Sequence, residues 1–406
     1  MLAFLPGQAS GKTRSTEKLE ALYDKQQCFA LRDSVNSERA PLFYRAVVAC
    51  NFRERKPCRK GLRQVIHAAP KSEEAFKALS LRASIELAEG KYHESLKDTE
   101  SMLRLRPADK DAQSSRTLLL GLAQFPDQKT VHRKASTVAI GQFSGQFYGN
   151  LGSPVRIDGR KAIFSFDTGA NISAISEAEA ARLGLAVRSA DEMVTVATGA
   201  QVAAKLASAD VLQIGGVTLK HVAFLVYPDT DRPYVHFPLG ERGTLGIPVL
   251  LAIETLRMRD GRNLDLAFRP KALNSALANV CMFGPTVITQ MKFGEAVLDF
   301  SFDTGANETF LYPAFANSFP NVMASAERRD LFTVNGVGSS AKFATVTLPP
   351  LQFNLAGSNV ELSPARVLMQ KTLSNSSYIM GNLGTDLLGQ AKQWAIDFRS
   401  MRLSMR

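Results

Sequence analysis

Between residues 17 and 125 apolar positions recur at intervals of three and four: Leu19, Leu22 and Tyr23, then Phe43, Tyr44, Val47 and Val48, then Leu62, Val65 and Ile66. That spacing lays an apolar stripe along a helix, so a helical region is predicted, punctuated by Pro41, Pro57, Pro70 and Pro107. Within it, Ala75 to Pro107 reads as two helices broken at Glu89-Gly90-Lys91. After Lys134 the pattern changes to short β-branched runs between Gly and Pro turns: Thr137 to Ile140, Val155 to Ile157, Ala162 to Phe166, Met193 to Ala197, Val211 to Ile214 and His221 to Val226. Residues 136 to 406 are therefore predicted to be mostly strand.

The β region reads as an internal duplication. FSFDTGAN occupies Phe164 to Asn171 and again Phe300 to Asn307, a displacement of 136. A second landmark, large apolar residues before a Gly, stands at Thr244-Leu245-Gly246 and more fully at Ile379-Met380-Gly381, displaced by 135. Two markers at almost one offset imply whole duplicated domains. The expected organisation is a tail (1–16), a helical domain (17–134), a first β domain (136–262), a linker (263–282) and a second β domain (283–406), a multidomain α+β chain.

Composition narrows the classes. At 406 residues, 45% hydrophobic and 21% charged, the chain is in the globular range. No run of about 18 apolar residues occurs, so no transmembrane helix is expected. The net charge of +11 resides almost wholly in the N-terminal third, with Arg53, Arg55, Lys56, Arg59, Lys60 and Arg63 clustered. Such a cluster could dock an acidic protein, nucleic acid or anionic lipid, although charge runs are usually solvated faces; without interleaved aromatics, nucleic acid is not expected. Cys28, Cys50, Cys58 and Cys281 are too few for a disulfide framework; a bridge near the N-terminus is conceivable, but its pairing is not readable. The compartment stays open: periplasmic or secreted if a leader was lost, otherwise cytoplasmic. The five histidines lack ligand spacing, so neither metal nor cofactor is expected. Gly7 to Thr13 resembles a phosphate loop but fails on spacing. The acceptor sequences at Asn171, Asn307 and Asn375 are read as chance matches.

The chemistry lies in the repeated Asp-Thr-Gly-Ala. An Asp at the end of a buried strand, followed by a hydroxyl residue and a Gly, gives a turn that holds the carboxylate near backbone N–H groups. One such turn is weak evidence. Two, on paired domains, would bring Asp167 and Asp303 together around one proton, giving a base to activate water and an acid to protonate a carbonyl oxygen or leaving amine.

On these residues, 136–406 resembles two fused retropepsin-like aspartic protease domains, the retroviral type in bacterial form. The resemblance implies an aspartic endopeptidase acting on polypeptides, with Asp167 and Asp303 catalytic. It further implies that Thr168 and Thr304 exchange hydrogen bonds, that Gly169 and Gly305 allow close approach, and that Leu245, Gly246, Met380 and Gly381 pack behind the catalytic loops. Hairpin flaps are implied at Thr195 to Lys205, with Thr198 and Gly199, and at Thr333 to Lys342, with Gly336 and Gly338. The N-terminal region partly resembles a tetratricopeptide unit at Ala83, Gly90, Tyr92 and Pro107, a helical arm for docking partners or substrates. A monomer containing its own pseudo-dimer is expected. The alternative class is a non-catalytic peptide-binding adaptor on the same fold.

Overall fold

Seven helices open the chain in the computed structural model, which describes residues 14–35, 40–140, 152–195, 201–270, 278–370 and 378–406. They are α1 (Arg14–Asp24), α2 (Cys28–Val35), α3 (Leu42–Asn51), α4 (Arg55–Ala68), α5 (Glu73–Ala88), α6 (Tyr92–Leu105) and α7 (Lys110–Leu122). Local chemistry sets their ends. Ser72 Oγ accepts from the Ala75 N–H at 3.1 Å to cap α5, and Asp109 Oδ1 accepts from the Ala112 N–H at 2.8 Å to cap α7. Between α5 and α6 the chain turns at Gly90, whose φ of +71° suits glycine. Pro57, read from sequence as a break, lies inside the first turn of α4, where its missing N–H has no helical partner to lose. The P-loop-like stretch Gly7 to Thr13 and Asn375 lie outside the described residues.

The arm does not stand apart from the β region. Phe29, Phe52 and Ala88 belong to the core that runs through both β domains, whereas Tyr92, Leu119, Leu122 and Phe125 share a second core with Ile172, Leu225 and Tyr227. Burying these side chains away from water supplies the main attraction between arm and body. Covalent links add to it. Cys28 on α2 is bonded to Cys281, 253 residues away, and Cys50 at the end of α3 to Cys58 on α4. Sequence reading left these pairings open, and the long-range one is set only by the packing of α2 against the second β domain. Glu254 is a charged counterpart: its carboxylate lies 2.9 Å from Arg133, 3.8 Å from Arg399 and 3.9 Å from Arg55. In the basic cluster, Arg59 pairs with Glu89 at 2.7 Å, and both Arg55 and Arg59 keep about half their side-chain surface exposed.

The first β domain is an eight-stranded sheet in the order 129–133, 217–227, 173–176, 243–245, 160–166, 152–157, 201–214, 188–195, closed on itself by pairing of 217–227 with 201–214. Lys129–Arg133, expected in the helical region, is an edge strand here. The second is a ten-stranded sheet whose path runs 328–336, 339–348, 365–368, 310–311, 381–383, 296–302, 286–293, 351–355, 358–362, with 280–283 paired to 286–293. Alternation accounts for the strands. In Gly152–Ile157, Val155 and Ile157 are buried while Pro154 and Arg156 face out.

A third sheet joins the halves. Its order is 136–139, 263–266, 255–259, 393–397, 402–405, and the joint is the antiparallel pairing of Thr255–Arg259 with Gln393–Asp397. Asn263–Leu266, within the stretch expected to be a linker, is therefore a paired strand. No described helix is long and apolar enough to cross a membrane.

Candidate active site

Each Asp-Thr-Gly loop follows a buried strand, Arg160–Phe166 in the first half and Ala296–Phe302 in the second. Backbone bonds fasten both loops alike. The Asp167 N–H donates to Leu245 O at 3.0 Å and the Asp303 N–H to Leu383 O at 2.9 Å. Ile247 N–H reaches Ala170 O at 2.9 Å, and Thr385 N–H reaches Ala306 O at 2.8 Å. Gly246 N–H donates to Ser173 Oγ at 3.1 Å, Gly384 N–H to Thr309 Oγ1 at 2.9 Å. The two loops are near copies about a pseudo-twofold axis.

Across that axis the threonines interlock. Thr168 Oγ1 donates to Phe302 O at 2.6 Å and accepts from the Thr304 N–H at 3.0 Å; Thr304 Oγ1 donates to Phe166 O at 2.9 Å and accepts from the Thr168 N–H at 3.1 Å. Both residues are buried, at 2% and 5% exposure, so these bonds work where water competes little. Close approach needs the glycines. A Cβ on Gly305 would lie 2.5 Å from the Asp167 carboxyl oxygens, and one on Gly169 would lie 2.7 Å from Asp303 Oδ1.

The carboxyls lie on the two sides of the axis, each against the glycine of the opposite loop. Each also accepts from its own loop, Asp167 Oδ1 from the Gly169 N–H at 2.7 Å and Asp303 Oδ1 from the Gly305 N–H at 3.0 Å. Burial, and then the neighbouring Asp303 charge, push the Asp167 carboxyl well above the usual carboxylate range. Two carboxyls placed so close ionise together less readily than either would alone.

Leu245 and Gly246 adjoin the first loop, but their counterparts are not Met380 and Gly381. Parallel pairing aligns Phe166 with Leu245 and Phe302 with Leu383. The true equivalents are thus Leu383 and Gly384, at an offset of 138. Gly381 matches Gly243: an added Cβ would overlap the Phe300 ring at one and the Phe164 ring at the other. The sequence reading chose the more apolar triplet, whereas the fold places a polar residue, Asn382, in the middle of the element. Asn382 is also the site residue that reading missed, since its Nδ2 donates to Asp303 Oδ2 at 3.1 Å.

The stretch expected to be the second flap lies in a hairpin of Arg328–Gly336 and Ser339–Leu348, with Gly336 opposite Ser339 and Val337-Gly338 at the turn. Gly338 has φ +69°, and its N–H donates to Arg232 O of the first half at 2.8 Å. The tip therefore reaches across to the opposite domain. The first hairpin pairs Thr195 with Gln201, and its tip, with Thr198 and Gly199, lies outside the described residues.

Residues 153–249 match the family model for aspartyl proteases. The match lies in the first β domain, and the second repeats its Asp-Thr-Gly loop and the parallel strand pairing behind it. Among solved structures, this fold resembles a retropepsin-like aspartic protease from Rickettsia conorii, 19% identical over 34% of this chain and 93% of that one, with a TM-score of 0.24. It also resembles Basic 7S globulin from soybean, 11% identical over 67% and 94%, with a TM-score of 0.37. Both likenesses are remote, and neither bears on the chemistry. No curated protein matches the sequence significantly.

Proposed function

We propose that this chain is an aspartic endopeptidase. The observation that carries the reading is the placement of the Asp167 and Asp303 carboxyls, each against the opposite loop's glycine, above the threonine interlock. A water held between the carboxyls gives a proton to the ionised one while its oxygen attacks the scissile carbonyl carbon, and the protonated carboxyl delivers its proton to the carbonyl oxygen. The tetrahedral diol then collapses: the C–N bond breaks, the nitrogen takes up a proton, and a hydroxyl proton returns to the pair. No covalent enzyme intermediate is needed. An extended peptide would lie beneath the Val337-Gly338 hairpin, held by strand-like backbone bonds. The arm acts in this reading as a clamp across both halves, and its exposed cations Arg55, Lys56, Arg59, Lys60 and Arg63 offer an acidic partner a docking face.

The test is cleavage of a mixed peptide library between pH 3 and 7 by the wild type, Asp167→Asn and Asp303→Asn. Cleavage that falls at least about a thousandfold in each variant is expected. Full activity in Asp303→Asn would refute the shared pair, and no cleavage by the wild type at any pH would favour the peptide-binding adaptor.

A further inference from the structure

The halves differ at one polar position beside the carboxyls. In the first, Thr244 lies next to Ser165 across the parallel strand pair, and the two hydroxyls are 2.9 Å apart. In the second the same place holds Asn382. Ser301 Oγ donates to its Oδ1 at 2.6 Å and towards Gly381 O at 3.2 Å. With its oxygen so engaged, the amide must present Nδ2 the other way, and Nδ2 donates to Asp303 Oδ2 at 3.1 Å. Asn382 is only 7% exposed, so water does not replace that bond.

A donor to a carboxyl oxygen favours the ionised form, because a charge-assisted hydrogen bond is about twice as strong as a neutral one. The first half offers a hydroxyl engaged with a serine where the second offers an amide aimed at the carboxyl. Two otherwise matched loops therefore hold their shared proton unequally.

We propose that Asn382 is a positioning residue that fixes Asp303 as the charged, water-activating member of the pair and leaves the shared proton on Asp167. The elevated Asp167 carboxyl agrees with this placement, through burial first and the Asp303 charge second. Among the described residues, the titratable group that faces Asp303 is Asp167. Asp386, on the short helix behind, is engaged by the Thr309 N–H at 2.9 Å and hydroxyl at 2.6 Å. The catalytic meaning rests on the peptidase reading, whereas the proton placement is measurable without turnover.

Two readouts on the full chain separate these. Carboxyl-carbon NMR, with aspartates assigned through Asp167→Asn and Asp303→Asn, follows the pair directly, and the pH profile of kcat/KM follows catalysis. In Asn382→Thr, which copies the first half, and in Asn382→Leu, we expect the acid limb to move up by about one pH unit and kcat to fall about tenfold with little change in KM. The two carboxyl resonances should then titrate more alike. Thr244→Asn supplies the missing amide to the first loop and should give the same convergence from the other side; it decides the matter if the Asn382 variants do not fold. Unmoved resonances and an unmoved acid limb in folded variants overturn the proposal. A wild type that cleaves nothing removes the peptidase reading, while the resonances still judge Asn382.

Discussion

Replacing Thr168 by Val tests whether the interlock holds the two halves in catalytic register. Val keeps the shape and deletes the hydroxyl, which donates to Phe302 O at 2.6 Å and accepts from the Thr304 N–H at 3.0 Å. Both partners are backbone groups at a buried position, and each buried polar group left unmatched costs about 1 to 3 kcal/mol. The loss in unfolding free energy is therefore about 2 to 6 kcal/mol, read from urea midpoints at constant slope. Thr168→Ser retains the hydroxyl and loses one methyl, so about 1 kcal/mol is expected. Catalysis should suffer as well, because a shift near 1 Å between the carboxyls lowers kcat by about a hundredfold. Thr304→Val should behave as the mirror case, and the double variant should cost less than the sum, since either change frees both loops. A Thr168→Val chain within 0.5 kcal/mol of wild type and fully active would refute the idea that these bonds hold the loops.

Two further outcomes follow from the site and its surroundings. Gly305→Ala places a methyl 2.5 Å from the Asp167 carboxyl oxygens, so activity should fall at least about a hundredfold while circular dichroism keeps its wild-type form; an active variant would show that the loops do not meet so closely. Asp299 has its carboxyl pushed up to about 6 by burial, against the opposing effects of Gln290 and Arg32. A raised carboxyl stabilises the fold when protonated, and that contribution is lost as pH rises through about 6. At 1.36 kcal/mol per unit the loss approaches about 3 kcal/mol. Asp299→Asn should therefore flatten the stability profile between pH 4 and 7, and an unchanged slope would contradict the burial argument.

What sequence reading delivered followed from local, repeated chemistry. Identical FSFDTGAN segments located Asp167 and Asp303, and the Gly-Val-Gly at 336–338 located a hairpin tip, because turns and loops of this kind are set by residues adjacent in sequence. Helix spacing found the arm and its break at Gly90 for the same reason. The misses were matters of register and distance. Choosing Met380-Gly381 over Leu383-Gly384 followed apolarity, whereas the strand pairing that decides the matter depends on residues some 80 positions away. Asn382 directly follows the chosen Ile379-Met380-Gly381, yet nothing in its neighbours signals that its amide reaches Asp303. Cys28 and Cys281 could not be paired in advance, since their meeting depends on how the arm lies against the second half. Asn263–Leu266 has the look of a connector and becomes a strand only because Ser136–Ala139 and Thr255–Arg259 flank it.

The sheet that joins the halves has a practical consequence. Its two terminal strands, Gln393–Asp397 and Arg402–Met405, come from the last fourteen residues and cover the edge of Thr255–Arg259. A chain cut short by that segment would leave a row of unmatched N–H and C=O groups open to any passing strand. A purification tag is therefore safer ahead of the first helix, and preparations trimmed by host proteases at the C-terminus should be the ones that clump on storage.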